Sequence, residues 1–138
     1  MTAPPQIPKL LPNPSPISRP FWEATKEHRL SIQRCLSCRK HVFYPRTLCP
    51  HCGAGALEWV DVSGNATLYS YTIARRATAA PWAADVPYVI AIVELEEGVR
   101  MTTNIVGCPV EDVRIGMALV PEFQDVNEKI TLVMFRPA

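Results

Sequence analysis

No stretch of this 138-residue sequence approaches the roughly 20 consecutive apolar residues of a membrane helix, so no membrane-spanning segment is expected. Neither sign of charge is in excess: 14 Lys and Arg face 13 Asp and Glu, a formal +1. Long-range attraction to nucleic acid or to a charged membrane surface needs a larger imbalance. The stretch Met1–Pro16 has neither the charged start nor the apolar centre of a secretory leader. The expected compartment is the cytoplasm, where thiols stay reduced. The nucleotide-binding glycine patterns and the G-x-S-x-G elbow of serine hydrolases are missing. Asp61, Asp85, Glu94, Glu96 and Glu97 are scattered over turns and strand ends, with no pair spaced for acid–base work. A binding or scaffolding module is the reading these absences leave.

Five cysteines in a reducing compartment point to metal rather than to disulfides. Four of them stand as Cys35-Leu36-Ser37-Cys38 and Cys49-Pro50-His51-Cys52. Each C-x-x-C forms a knuckle that offers two sulfurs to one ion, and two knuckles complete a tetrahedral thiolate shell. Strand-like residues flank the first knuckle (Leu30–Gln33) and fill the interval (Val42–Tyr44), which is the pattern of a rubredoxin-like zinc ribbon. Iron is the rival metal, because the ligand set is the same. Four thiolates leave no coordination site for water or substrate, so the metal is expected to be structural.

Between Glu27 and Glu58 no acidic residue occurs, while Arg29, Arg34, Arg39, Lys40 and Arg46 all do. Such a patch suits a phosphate. It equally offsets the net −2 of a divalent ion held by four thiolates. His41 and His51 read as exposed loop residues, and Cys108 as a small buried residue at a strand end.

The rest of the chain divides into three parts. Residues 1–17 hold Pro4, Pro5, Pro8, Pro12, Pro14 and Pro16 and form an extended tail. The tail is either disordered or laid along a surface by Ile7, Leu10 and Leu11. Residues 18–57 carry a helix over Arg19–Arg29, capped by Ser18 with Pro20 in its first turn, and then the ribbon. Residues 58–138 read as strands. Glu58–Val62 is short, and Thr67–Ala74 alternates with period two. Tyr88–Leu95 is apolar on both faces and reads as a central strand. Val99–Val106 returns as its hairpin partner, and Ala118–Phe123 and Ile130–Phe135 complete the set. The fold class is therefore mainly β: an N-terminal helix and zinc ribbon followed by a five-stranded OB-fold barrel.

Arg75–Pro87 is long for a hairpin loop. It opens on Arg75 and Arg76, runs through alanines and carries an isolated Trp82. Trp82 either fills a groove on the barrel or anchors a partner, where Arg75 or Arg76 would meet a phosphate or carboxylate.

Several runs in this chain resemble one family. They are Pro20-Phe21-Trp22-Glu23, the two cysteine pairs with Pro45-Arg46 between them, and Gly64 with Leu68–Thr72. Pro87-Tyr88-Val89 with Val93-Glu94-Leu95, Gly107–Asp112 and Ile115-Gly116-Met117 continue the likeness to near the C-terminus. The family is the zinc-ribbon-plus-OB-fold proteins long known only as a domain of unknown function. The resemblance implies a non-catalytic accessory subunit of a thiolase-like enzyme acting on acyl-CoA thioesters. Its partner would be a thiolase, an acyltransferase or a retro-aldolase of sterol side chains, the last a lipid-transfer-protein-like subunit. CoA binding is associated with the family, so a CoA ester is a candidate ligand. Two alternatives remain. One is a stand-alone acyl-CoA-binding protein. The other is a single-stranded nucleic-acid module in which Phe43, Tyr44, Tyr69 and Tyr71 stack bases, against which the low net charge argues.

Overall fold

The computed structural model describes residues 8–138, and Ile7 lies outside them. Residues 8–15 form neither helix nor strand. Leu10 is 86% exposed, so it does not hold this segment onto the chain. The side chain of Lys9 instead pairs with Asp85 in the loop that carries Trp82.

Helix α1 spans Arg19–Lys26, with Pro20 in its first turn. Ser18 makes no side-chain cap. Its hydroxyl accepts the Ser15 amide at 2.9 Å, which closes the preceding turn. The helix stops before Arg29 because His28 takes φ 58°, a left-handed conformation. The amides of His28 and Arg29 then bond back to the carbonyls of Thr25 and Ala24 at 2.9 Å each. That pairing satisfies carbonyls that would otherwise be orphaned at the helix end. Phe21, Ala24 and Thr25 form the buried face. His28 stacks on Phe123, with centroids 5.3 Å apart, and its Nε2 lies 3.0 Å from Asp125.

The ribbon is a three-stranded sheet ordered β2-β1-β3, from β1 (Leu30–Cys35), β2 (His41–Val42) and β3 (Leu57–Val62). Strand β3 pairs with β1 from Leu30↔Val62 to Cys35↔Leu57. Glu58–Val62, expected as a short strand at the start of the barrel segment, pair with β1 in the ribbon sheet, and the closed barrel starts at Ala66. Their short alternation carries no mark of which sheet they join.

Five strands close the barrel: β4 (Ala66–Ala74), β5 (Tyr88–Leu95), β6 (Arg100–Ile105), β7 (Ala118–Asp125) and β8 (Thr131–Pro137). The order is β4-β5-β6-β8-β7, with β7 returning to β4 through Ala66↔Leu119 and Thr67↔Ala118. All pairs are antiparallel except β6–β8, which meet in parallel at Ile105↔Phe135. This is the OB-fold connectivity.

The period-two alternation of β4 does not hold through the strand. A bulge between Leu68 and Ser70 reverses it at Tyr69. Ala66 and Leu68 point inward before the bulge, and Tyr71 and Ile73 turn to the core after it. Strand β5 also departs from expectation. Val89, Ala91, Val93 and Leu95 are buried, whereas Ile90 and Ile92 lie on the outside. An antiparallel barrel buries only one face of a strand, whatever the other face carries.

One core joins helix, ribbon and barrel. Phe21 of α1 and Leu30 of β1 pack in the same cluster as Leu68, Val93, Leu95, Met101, Leu119 and Phe135. Each such side chain contributes roughly 1.5–3 kcal/mol by leaving water.

Candidate metal centre

The two knuckles share one backbone design. Cys35 donates its amide to the Lys40 carbonyl and accepts the Arg39 amide, both at 2.9 Å. Cys49 does the same with Ala54 and Gly53, both at 2.8 Å. The residue after the second cysteine of each pair turns left-handed, Gly53 at φ 79° and Arg39 at φ 65°. Only the glycine is a signal in the sequence, because the arginine pays the steric strain of that conformation.

This folding brings Cys35, Cys38, Cys49 and Cys52 together, with all four sulfurs within 4.8 Å of one another. Sγ of Cys35 lies 3.6 Å from that of Cys52, and Sγ of Cys38 lies 3.7 Å from that of Cys49. A tetrahedron with metal–sulfur bonds of 2.3 Å has edges of about 3.8 Å, so the sulfurs fit a zinc ion. The amides of Cys38 and His51 approach Sγ of Cys35 and Cys49 at 3.4 Å each, as thiolate ligands require. The Cys38 amide is also the main reason the Cys35 thiol falls to about 6. The thiol of Cys38 is pulled down by the Lys40 amide, but burial and the adjacent sulfurs outweigh it and push it up to about 11. Neither histidine joins the cluster. Bound zinc would be closed off by sulfur and would supply structure rather than chemistry.

A cleft of about 580 Å³ separates the knuckles from the β5–β6 turn, lined among others by Arg39, Lys40, His41, His51, Glu97 and Arg100. None of the ion pairs among the described residues involves Arg34, Arg39, Lys40 or Arg46. Arg29 differs, since it binds both Glu27 and Asp61 at 2.7 Å. Cys108 packs half-buried against the core, and burial, then Asp112, raises its thiol. That suits an inert thiol rather than a nucleophile.

Arg75, Arg76 and Trp82 lie apart from the sulfurs, on the β4–β5 loop. Both arginines are exposed, and Trp82 is half-buried on a 3-10 turn, Ala80–Trp82. Trp82 does not join the core cluster that takes up Trp22 and Trp59. The loop enters β5 at Tyr88 and the cleft lies past its other end, at Glu97–Arg100, so the two features stand at opposite ends of an eight-residue strand. Such a strand is roughly 23 Å long. Phe43 and Tyr44 lie 4.8 Å apart, whereas Tyr69 and Tyr71 stand on β4. Phe43 packs on Phe21, Tyr71 joins the core, and Arg100 covers the Tyr69 ring at 3.7 Å.

Two family models match the chain. Residues 22–58 match the ChsH2 rubredoxin-like zinc ribbon domain, and residues 59–124 the ChsH2 C-terminal OB-fold domain. A DUF35 domain-containing scaffold protein of Methanocaldococcus jannaschii is 38% identical over 78% of this chain and 77% of its own length. The chain belongs to the DUF35 family. A solved DUF35 structure, described as the Ltp2-ChsH2(DUF35) aldolase, superposes with a TM-score of 0.82 at 37% identity. The match covers 92% of this chain and 98% of that one. A Thermomonospora curvata protein described as "Probable enoyl-CoA hydratase alpha subunit" is 40% identical over 86% of this chain. This chain spans only 37% of that protein's length. No helix among the described residues is long and apolar enough to cross a membrane.

Proposed function

We propose that this chain is a non-catalytic accessory subunit of a thiolase-like enzyme acting on acyl-CoA thioesters. The observation that carries the reading is the near-complete superposition on the DUF35 chain of a two-component aldolase. The hydratase alpha subunit points to acyl-CoA chemistry as well, since it contains a counterpart of this chain within a longer protein. The chain's own residues agree with a supporting role. Its metal ligands are all sulfur, and its free thiol is raised.

In this reading the ribbon and barrel hold an enzyme subunit in place, and that subunit carries the reacting groups. Arg75, Arg76 and Trp82 contact the partner, and the basic cleft beside the zinc accepts a phosphate-bearing moiety such as that of a CoA ester. The test is co-expression with a thiolase-like subunit encoded beside this chain, followed by size-exclusion chromatography and an acyl-CoA turnover assay. A stable complex that turns over, and an isolated chain that does not, support the reading. Turnover by the isolated chain, or no association, defeats it.

A further inference from the structure

The outer face of the β5–β6 hairpin takes no part in the metal centre, and Thr72, Ile90, Ile92 and Thr102 are exposed in its middle. Its side chains stand in cross-strand rows. Ala74 and Tyr88 form the row nearest the Trp82 loop, Thr72, Ile90 and Asn104 form the next, and Ser70, Ile92 and Thr102 the one after. Glu94 and Arg100 follow at the cleft end, joined at 3.0 Å. From the ribbon, Tyr44 places its hydroxyl 3.4 Å from Oγ1 of Thr102.

Ile90 and Ile92 are 38% and 37% exposed. Ser70, Thr72 and Thr102 beside them are all shorter, so the two isoleucines stand proud of the surface. β-Propensity alone does not call for isoleucine, because threonine meets the same preference and fills two of the four flanking positions, Thr72 and Thr102 beside Ser70 and Asn104. The strip then runs toward the cleft, where Arg39 and Lys40 are exposed and none of the described ion pairs includes them. An apolar strip ending in exposed basic residues suits a partner surface with an apolar ridge and anionic groups at one end. OB-folds bind ligands on this outer face of the second and third barrel strands. Here the exposed isoleucines are flanked by Tyr44 and Tyr69, 54% and 48% exposed, a mixture that suits a protein interface, and the formal charge of +1 argues against nucleic acid.

The geometry points to the Ile90–Ile92 strip, between the Trp82 loop and the Arg39–Lys40 cleft, as the docking surface for the acyl-CoA enzyme subunit. The inference rests on the accessory-subunit reading above and adds to it the face that is used and the chemistry of the partner face.

The test uses the full chain and a purified thiolase-like subunit encoded beside it. The double variant Ile90→Thr/Ile92→Thr keeps β-branched side chains, and its circular dichroism should match the parent's. Calorimetric titration should show at least tenfold weaker binding by the double variant. Lys40→Gln should slow association most at low salt. Should the double variant misfold, Thr102→Glu sets a charge against the partner's apolar ridge from an exposed position, and the same loss is expected. If the native chain binds and both face variants bind equally well, this surface is wrong while the accessory reading stands. If the native chain binds no thiolase-like subunit, both fall. Sedimentation that shows the native chain as a dimer and the double variant as a monomer assigns the strip to a second copy and overturns the proposal.

Discussion

Gly64 sits where the chain passes from the ribbon into the barrel, and it meets two demands that only glycine satisfies together. Its φ is 82°, and a Cβ there would lie 2.5 Å from Cγ of Pro121 on β7. Proline is tolerated at position 121 because β7 pairs with β4 only through Leu119 and Ala118. Gly64→Ala should therefore cost about 2–4 kcal/mol in chemical denaturation, from left-handed strain and overpacking combined. Glu97 is a second residue with a readable cost. Burial, then the charge of Glu96, raises its carboxyl above 4.5, and its Oε1 has no hydrogen-bond partner. A raised carboxyl stabilises the fold fully below its unfolded pKa and loses that contribution as pH climbs through the folded value. Glu97→Gln should accordingly raise the melting temperature near about pH 8 and change it little near about pH 4. A thermal-shift series across pH reads this directly.

The ribbon's strands are short, and β2 has only two residues, so their pairing alone cannot hold the knuckles. Cys35 and Cys49 are buried with Val42 in a small cluster of their own, in which the metal is the main organising contact. Zinc binding in comparable peptides releases on the order of 10–16 kcal/mol, so removing a ligand should melt the knuckles. For Cys35→Ser we expect less than one zinc per chain by native mass spectrometry and loss of dispersed ribbon amide signals. The barrel should keep its sheet but melt earlier, because Phe21 and Leu30 reach its core from the helix and ribbon. Native protein should carry one zinc, and an iron chromophore would contradict the assignment. Strand β5 has the opposite balance, since its interior face is fully secured and its exterior face holds exposed isoleucines that the fold does not use.

Across the protein, the metal-side cleft and the Trp82 loop mark the two ends of one strand, and the tail reaches the loop through Lys9 and Asp85. Because Trp82 lies outside the core cluster, Trp82→Ala should barely change the melting temperature of the free chain. In the accessory reading it should weaken the complex by about 2 kcal/mol or more, measured by titration with the partner subunit. An unfolded free chain with assembly intact would make the loop a lid on its own barrel. Cys35, Cys38, Cys49 and Cys52 were legible from their spacing, because two C-x-x-C knuckles bind metal through local turns that need no tertiary information. Most barrel strands were legible as well, since β-branched residues and glycine turns act over a few residues. Three matters could not be read locally: which sheet Leu57–Val62 would join, where the β4 bulge would reverse its faces, and that the run Tyr88–Leu95 would leave Ile90 and Ile92 outside. Each depends on which strands become neighbours, and strand pairing is settled by packing residues far apart in the chain, so only the closed barrel decides it.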